Sequence, residues 1–313
     1  MDLQLFLTED EFADLGIEKG SMTLVDNEGQ NALLSKFKDK KINRASGGSA
    51  ANTVIGLTQL GAKTAYGCLV ASDDFGAAYL EEMSSLGVEL HNEKAQSNQT
   101  GSCVVAITPD AERTMNTFLG VSAEFSSENV SEDHIAQAEW LYIEGYLFSS
   151  ELGQQAVKKA IAVAKEFDTK IAITFSDAFI VNVFGGHLRE AVKSADLIFA
   201  NATEAKAFTA IDDEKKAFEQ LKNDIPSVAM TLGADGALVW HQGEEFKIEP
   251  VPTKAVDDTG AGDMFAGGFL YGLSSGFSAD VSGKIACSLA SKVVSKLGPR
   301  LDGDIKKSLE EIV

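Results

Sequence analysis

The 313-residue chain is poor in basic residues, in cysteine and in long apolar runs, and each shortage excludes a class of protein. It has 27 Lys and Arg against 47 Asp and Glu, a formal net charge of −20, which argues against nucleic acid or an anionic membrane as a partner because both would be repelled. Its three cysteines, Cys68, Cys103 and Cys287, indicate reduced thiols in a cytoplasmic protein, since they are odd in number and far apart. No apolar run approaches the ~18 residues of a membrane helix, and the first residues lack the features of a secretory signal, so we expect neither.

The remaining composition is that of a folded protein, with 44% hydrophobic and 24% charged residues. Short apolar runs alternate with amphipathic stretches, which predicts βαβ crossovers and a largely parallel sheet covered on both faces. The predicted strands are 66–70, 140–143, 171–175, 196–200 and 227–231, and the predicted helices lie near 50–60, 74–87, 151–167, 180–194 and 212–223. Residues 236–241 and 245–248 predict an antiparallel hairpin, and helices dominate from residue 261 onward.

Two stretches interrupt this alternation, 20–45 and 100–119, where short alternating segments predict a small sheet with one wet face. A sheet built from separate insertions can act as a lid over a site. We therefore expect a large domain formed by 46–92 and 120–313 and a small β lid formed by 1–45 and 93–119.

The glycine-rich window 257–272 carries the strongest chemical signal. Gly260 and Gly262 free the backbone to point several N–H groups at one spot, and the helix that follows adds the positive end of its dipole, so the turn predicts an anion hole. Asp263 lies in the first turn of that helix, where a carboxylate is useful if it takes a proton from a hydroxyl that attacks the anion. The alternative is that Asp263 only caps the helix.

That alternative leaves Gly267, Gly268 and Gly272 unexplained. Each costs about 1 kcal/mol relative to Ala inside a helix, which predicts a close approach to the backbone. A second cluster, 46–52, places Gly47 and Gly48 before a helix whose Ser49 and Asn52 lie one turn apart and could share a face suited to sugar hydroxyls. Its alternative is an ordinary helix cap with a flexible hinge.

Other common site types are disfavoured by what the motifs lack. The Gly283-Lys284 dipeptide lacks the spacing of a P-loop, and the glycine-rich turn lies too late in the chain for a Rossmann dehydrogenase. A zinc hydrolase is disfavoured because all four histidines are solitary and no Cys-x-x-Cys occurs.

Taken together, the motifs resemble those of the PfkB/ribokinase family of carbohydrate and nucleoside kinases. The window 257–272 resembles the family's carboxy-terminal signature, and Gly47-Gly48 resembles its amino-terminal one. Further agreement is found at Gly61, Gly67, Asp73-Asp-Phe-Gly76, Thr100-Gly101, Asn201-x-x-Glu204 and Thr231-Leu-Gly-x-x-Gly236. Glu112-Arg-Thr114, Glu144-Gly-Tyr146 and Gly298-Pro-Arg300 are most similar to the adenosine-kinase-like branch. The resemblance implies a ribokinase-like three-layer α/β/α sandwich with a mostly parallel central sheet and a small β-sheet lid.

The resemblance also implies roles for individual residues. Asp263 would be the general base, with Gly260, Ala261 and Gly262 as the anion hole for the γ-phosphoryl. The implied substrate-binding residues are Asp2, Gly47, Gly48, Ser49, Asn52 and Phe179, and the implied ATP- and phosphate-binding residues are Arg113, Asn201, Glu204, Thr231, Gly233 and Gly236. Glu204 would also help to place Mg²⁺ through water. The competing interpretations are a capping box for Asn201 and Glu204, a solvated surface charge for Arg113 and a core aromatic for Phe179.

Two departures from the family pattern give further expectations. Family members open with a strand that precedes the sugar-binding Asp, and here that Asp matches Asp2, so we expect the first strand to be missing before Met1 and substrate binding or stability to be weakened. Asp258 replaces a small or hydroxyl residue and leaves a monovalent-cation site open.

The expected activity is ATP- and Mg²⁺-dependent transfer to a primary hydroxyl of a nucleoside, with adenosine favoured. The alternatives are a free-sugar kinase of the ribose or fructose type and a non-catalytic nucleoside- or sugar-binding sensor. Residues 255–276 contain three aspartates and no Lys or Arg, so the helix dipole, backbone N–H groups, Mg²⁺ and a lid arginine would have to hold ATP. We expect a cytoplasmic monomer or homodimer, since an exposed lid sheet could pair with a second copy.

Overall fold

The computed structural model describes residues 1–20, 22–95, 98–110, 112–302 and 305–309, and strands alternate with helices along most of them. The strands are β1 (Asp2–Phe6), β2 (Met22–Leu24), β3 (Asn43–Ala45), β4 (Ala65–Ala71), β5 (Glu89–Ala95), β6 (Ser102–Ile107), β7 (Arg113–Phe118), β8 (Trp140–Glu144), β9 (Lys170–Thr174), β10 (Leu197–Asn201), β11 (Ser227–Thr231), β12 (Ala237–His241) and β13 (Glu244–Ile248). The α-helices are α1 (Glu9–Ala13), α2 (Asn27–Ser35), α3 (Ser49–Leu60), α4 (Asp74–Ser85), α5 (Glu132–Gln137), α6 (Glu151–Glu166), α7 (Ala178–Val192), α8 (Ala202–Thr209), α9 (Glu214–Asp224), α10 (Ala261–Ser274) and α11 (Ala279–Val294).

The main sheet has six strands in the order β13-β12-β11-β10-β9-β8. Strands β8 to β11 are parallel, and the hairpin β12-β13 adds to β11 in the antiparallel sense. The strands and the hairpin predicted for this part of the chain are confirmed to within one residue at each end. Their sequences were readable because parallel strands covered on both faces are apolar throughout.

Helices cover both faces of this sheet, and the alternation along β9 shows how. Ile171 and Ile173 are buried on one face, in a core shared with α6 to α9. Ala172 points to the other face, where it packs with Phe265 and Phe269 of α10. Burying one large aliphatic or aromatic side chain contributes roughly 1.5–3 kcal/mol, so the two cores fix the helices on the sheet. The predicted three-layer α/β/α arrangement is confirmed.

A second sheet has five strands in the order β2-β7-β6-β1-β3, and all five come from 1–45 and 93–119. Its inner strands β1 and β6 bury Leu3, Leu5 and Val104 in a core shared with α3 and α4. Strand β2, at the edge, is exposed along its whole length. The lid role of these residues stays a prediction.

Strands β4 and β5 form a separate parallel pair. The sequence predicted β4 but not β5, because 89–95 contains no apolar run. Among the described residues, no helix has both the length and the apolar character needed to cross a lipid bilayer.

Candidate active site

Helix α10 begins at a turn that only glycine adopts readily. Gly260 is its N-cap with φ of 79°, in the left-handed region, and a Cβ at this position would lie 2.6 Å from Cβ of Pro299. At Gly262 a Cβ would meet no atom within 4 Å, so the backbone here is open to a ligand. The first N–H groups of a helix have no partner within the helix and carry its positive dipole end, so the turn can receive an anion.

The glycines further along α10 allow two helices to approach it. A Cβ on Gly267 would lie 3.1 Å from the carbonyl oxygen of Thr53 in α3, and one on Gly268 would lie 3.0 Å from Cα of Ala286 in α11. The predicted close approach is confirmed, and the approaching groups are helices. The contact with α3 matters for the site because α3 carries polar residues at its start.

Asp263 joins α10 to α3 through both of its carboxylate oxygens. The Ser49 hydroxyl donates to Oδ1 at 2.6 Å, and the Asn52 amide Nδ2 donates to Oδ2 at 2.9 Å. Ser49 and Asn52 therefore share one face of α3, as the sequence predicts. Burial raises the pKa of Asp263 to about 6, although these two hydrogen bonds lower it. A carboxylate with this pKa is ionised at neutral pH and is basic enough to take a proton from a bound hydroxyl.

In the two-glycine segment before α3, Gly47 packs directly against the side chain of Asp2. Gly48 has φ of 113°, and a Cβ on Gly47 would overlap the Asp2 carboxylate. The Tyr79 hydroxyl donates to the Gly47 carbonyl at 3.1 Å and holds the segment against α4. Burial raises the pKa of Asp2 above its usual value. Glycine is thus required here by a neighbouring carboxylate, and the arrangement leaves Asp2 beside the start of α3.

Asn201 and Glu204 form a capping box at the start of α8. The Glu204 N–H donates to Asn201 Oδ1 at 2.8 Å, and Glu204 accepts from the backbone N–H of Asn201 at 2.9 Å and from its amide at 2.8 Å. Burial raises the pKa of Glu204 to about 7. Both Glu204 oxygens already accept hydrogen bonds, so this single carboxylate suits an ion held mostly by water and phosphate, which is how Mg²⁺ commonly binds. Among the described residues no cluster of three or more metal-ligating side chains is found.

The strand–loop after β11 contains the other predicted phosphate residues. Gly233 has φ of 60° and an open environment, beside Thr231 at the end of β11. Gly236 has φ of 87°, and a Cβ there would collide with the carbonyl of Ile248, so its role in the fold is to let β13 approach. Phe179, in the first turn of α7, is 51% exposed and is not the core aromatic of the competing interpretation.

Fourteen of the sixteen predicted site residues line one cavity of about 1470 Å³, and Arg113 and Gly236 are the two that do not. Arg113 is neither free nor solvated: it is buried in β7, and its Nη1 donates to Asp257 Oδ2 at 2.9 Å. The competing interpretation of Arg113 as a solvated surface charge is therefore wrong. The sequence could not reveal this pair, because the two residues lie 144 positions apart.

The cavity also contains acidic residues that sequence reasoning did not place in a site. Glu144, at the end of β8, accepts from the Ala50 N–H at 2.9 Å, and burial raises its pKa, with a smaller contribution from nearby Asp263. Asp177 caps α7 and raises the pKa of Glu204 further. Glu144 and Asp177 lie at or just after the carboxyl end of a buried parallel strand, and that position could have identified both as site residues from the sequence. Seven Asp and Glu residues line the cavity, so an anionic ligand needs N–H groups and a metal ion to hold it.

Comparison of the sequence with known proteins shows the family of this chain. Residues 21–305 match the sequence pattern of pfkB family carbohydrate kinase. The adenosine kinase of Saccharomyces cerevisiae is 28% identical over 320 residues, which cover 96% of this chain and 93% of that protein.

Two solved structures superpose on nearly the whole chain. The adenosine kinase from Sinorhizobium meliloti has a TM-score of 0.91 and 31% identity, covering 100% of this chain and 96% of that one. A probable sugar kinase protein from Rhizobium etli CFN 42 has a TM-score of 0.91 and 31% identity, covering 99% and 94%.

The site and fold thus define a phosphotransferase with an alcohol group as acceptor. The chain belongs to the pfkB family of carbohydrate kinases, as a sugar or nucleoside kinase with a ribokinase-like fold.

Proposed function

We propose that this protein transfers the γ-phosphoryl group of ATP to a primary hydroxyl of a nucleoside, with adenosine the favoured acceptor. The observation that carries the proposal is Asp263, held by Ser49 and Asn52 at the start of α10 and with its pKa raised to about 6. Similarity over nearly the full length to the adenosine kinases of S. cerevisiae and S. meliloti supports adenosine over other acceptors.

In this proposal the chain's own residues divide the work. Each oxygen of Asp263 keeps a lone pair beyond its present hydrogen bond, so the carboxylate can take the proton of the attacking hydroxyl. Gly260 and Gly262 would direct N–H groups at the transferring phosphoryl, and Ala261, whose N–H donates to the Asp258 carbonyl at 3.1 Å, would complete the turn. Mg²⁺, placed by Glu204 through water, would neutralise phosphate charge. The remaining phosphate contacts come from the predicted residues Arg113, Asn201, Thr231, Gly233 and Gly236, and a monovalent-cation site stays a prediction.

The acceptor would bind beside α3. Asp2, Gly47, Gly48, Ser49 and Asn52 present a carboxylate, backbone groups, a hydroxyl and an amide, which suit the hydroxyls of a sugar ring. The exposed ring of Phe179 offers a face on which a base can stack. We further propose that the protein acts in the cytoplasm, as a monomer or homodimer, with the five-stranded sheet as a lid that excludes water.

The decisive experiment measures ADP release with adenosine, inosine, guanosine, ribose and fructose. Turnover fastest with adenosine supports the proposal, and turnover only with ribose or fructose supports the free-sugar kinase, a candidate that the similarity to the R. etli probable sugar kinase protein favours. Silence with every acceptor favours the binding sensor. Phe179→Ala adds a matched test, because it should raise KM for a nucleoside and leave KM for a free sugar unchanged.

A further inference from the structure

Residues 298–300 contact both the glycine turn before α10 and the start of α3. On the side of the anion hole, the Gly298 N–H donates to Asp257 Oδ2 at 2.8 Å, and Pro299 packs against Gly260. On the acceptor side, the side chain of Arg300 reaches toward the start of α3. One short segment after α11 therefore touches the turn that receives the phosphoryl and the helix that carries the acceptor residues.

The Arg300 guanidinium is bonded on three sides. Its Nη1 donates to Glu82 Oε1 at 3.0 Å, its Nη2 to the Ser46 hydroxyl at 3.2 Å and its Nε to Asn52 Oδ1 at 3.2 Å. The second Glu82 oxygen accepts from the Ser46 N–H at 2.6 Å, which closes the network. The Arg300 side chain is only 14% exposed, so these contacts hold its planar guanidinium group in one orientation.

The bond from Arg300 determines which end of the Asn52 amide faces Asp263. Because Oδ1 of Asn52 accepts from Arg300, Nδ2 points to the Asp263 carboxylate and donates to it. An ionised carboxylate can only accept, so the reversed amide would place two oxygens against each other. Arg300 therefore does not contact Asp263 itself but orients the buried Asn52 amide that does.

We propose that Arg300 is a positioning residue that fixes the Asn52 amide and, through it, the carboxylate of Asp263. This inference rests on the proposed role of Asp263 as the base. It also assigns a function to Glu82 and Ser46, which hold the guanidinium in place.

The first test reads Asp263 directly, without turnover. The ¹³C signals of aspartate carboxyls are followed by NMR from pH 4 to 8, and Asp263→Asn identifies the Asp263 signal. Arg300→Gln should raise the pKa of Asp263 by about 0.5–1 unit, because the Asn52 donor is no longer held. Among the described residues, Asp263 helps to raise the pKa of Glu144, Tyr142 and Tyr146, and all three are retained in the variants. Arg189→Gln is the matched control, since Arg189 donates to the Phe208 carbonyl on the surface of α7 and α8.

Two further variants separate positioning from plain charge. Arg300→Lys keeps the positive charge but loses the planar guanidinium and its several donors. If Arg300 acts by positioning, the pKa of Asp263 should rise as much as in Arg300→Gln. If it acts by charge alone, the pKa of Asp263 should stay unchanged. In an Asn52→Ala background Arg300→Gln should add no further shift. A full additional shift there, or no shift in Arg300→Gln and Arg300→Lys, would overturn the proposal. Arg300→Lys also gives the answer if Arg300→Gln does not fold.

Kinetics with the accepted substrate provide the second readout. The acid limb of kcat/KM should move by the same amount as the Asp263 pKa, with an about two- to fivefold loss at pH 6 and recovery at pH 8. A merely structural role would lower kcat/KM equally at both pH values. If no acceptor is phosphorylated by the wild type, the proposed function fails while the NMR titration still decides the role of Arg300.

Discussion

Arg113 and Asp257 form a buried ion pair, with Nη1 and Oδ2 2.9 Å apart, that joins the five-stranded sheet to the loop before α10. Their side chains are 6% and 2% exposed. Asp257 also accepts from the N–H groups of Thr259 and Gly298, so it organises the loop that leads into the anion hole. The proposed phosphate contact of Arg113 would require it to exchange Asp257 for the nucleotide.

Asp257→Asn should lower the free energy of unfolding by about 3–5 kcal/mol, because it leaves the Arg113 charge buried without its counter-ion. Urea denaturation measures the change. The double variant Arg113→Met, Asp257→Asn should recover part of the loss, since no charge is then stranded. Glu190→Gln, which breaks an exposed pair with Lys193, serves as the control and should leave stability unaltered. Additive losses in the double variant would contradict this view of the pair.

Asp263→Asn should reduce turnover by ~10²–10⁴ with the best acceptor, because the amide cannot accept the proton of the hydroxyl. Acceptor affinity, measured by calorimetry, should change far less. Asp168→Asn is a matched control, since it removes an exposed carboxylate that does not line the cavity. Equal turnover of Asp263→Asn and the wild type would refute a base at this position and leave the fold intact.

The pKa of Asp263 predicts opposite effects of pH on activity and stability. Activity should fall below about pH 6 as Asp263 is protonated. The folded pKa of about 6 lies above the usual value of 3.8, so between these values the folded state holds a proton that the unfolded state has lost. Raising the pH through this window therefore lowers the free energy of unfolding, by up to about 3 kcal/mol for this group.

Asp263→Asn removes that dependence and so tests it. The stability of the variant relative to the wild type, from urea denaturation at pH 4 and pH 8, should be greater at pH 8. A difference between the two proteins that is the same at both pH values would show that Asp263 titrates normally.

The sequence predicted the elements that follow local rules and missed relationships that depend on distant partners. Strands β8 to β11 were found because apolar runs mark buried parallel strands, whereas β5 has no such run. The prediction that Ser49 and Asn52 share a face needed only helix geometry. Their common partner Asp263, more than 200 positions away, was predicted as a site residue, but the contact itself depends on how α3 packs on the glycines of α10.

At α8 both sequence interpretations of the Asn201–Glu204 motif have structural support. The capping box is present, and the same carboxylate lies on the cavity wall with its pKa raised to about 7. A motif that satisfies a local rule can therefore also serve a site, and only the assembled sheet shows that it faces the cavity.

Glu204→Gln separates these two roles, because the Gln amide oxygen can still accept from the Asn201 N–H of the capping box while the charge is removed. The free energy of unfolding should fall by about 1 kcal/mol, because the Gln amide cannot also accept from the Asn201 side chain. The Mg²⁺ concentration for half-maximal activity should rise about tenfold, since the carboxylate that would hold the ion through water is lost. In the wild type that concentration should also rise as the pH falls through 7, where Glu204 becomes protonated, and this dependence should vanish in the variant. Glu151→Gln, in the exposed first turn of α6, is the control. An unchanged Mg²⁺ requirement in Glu204→Gln would leave Glu204 with capping as its only role.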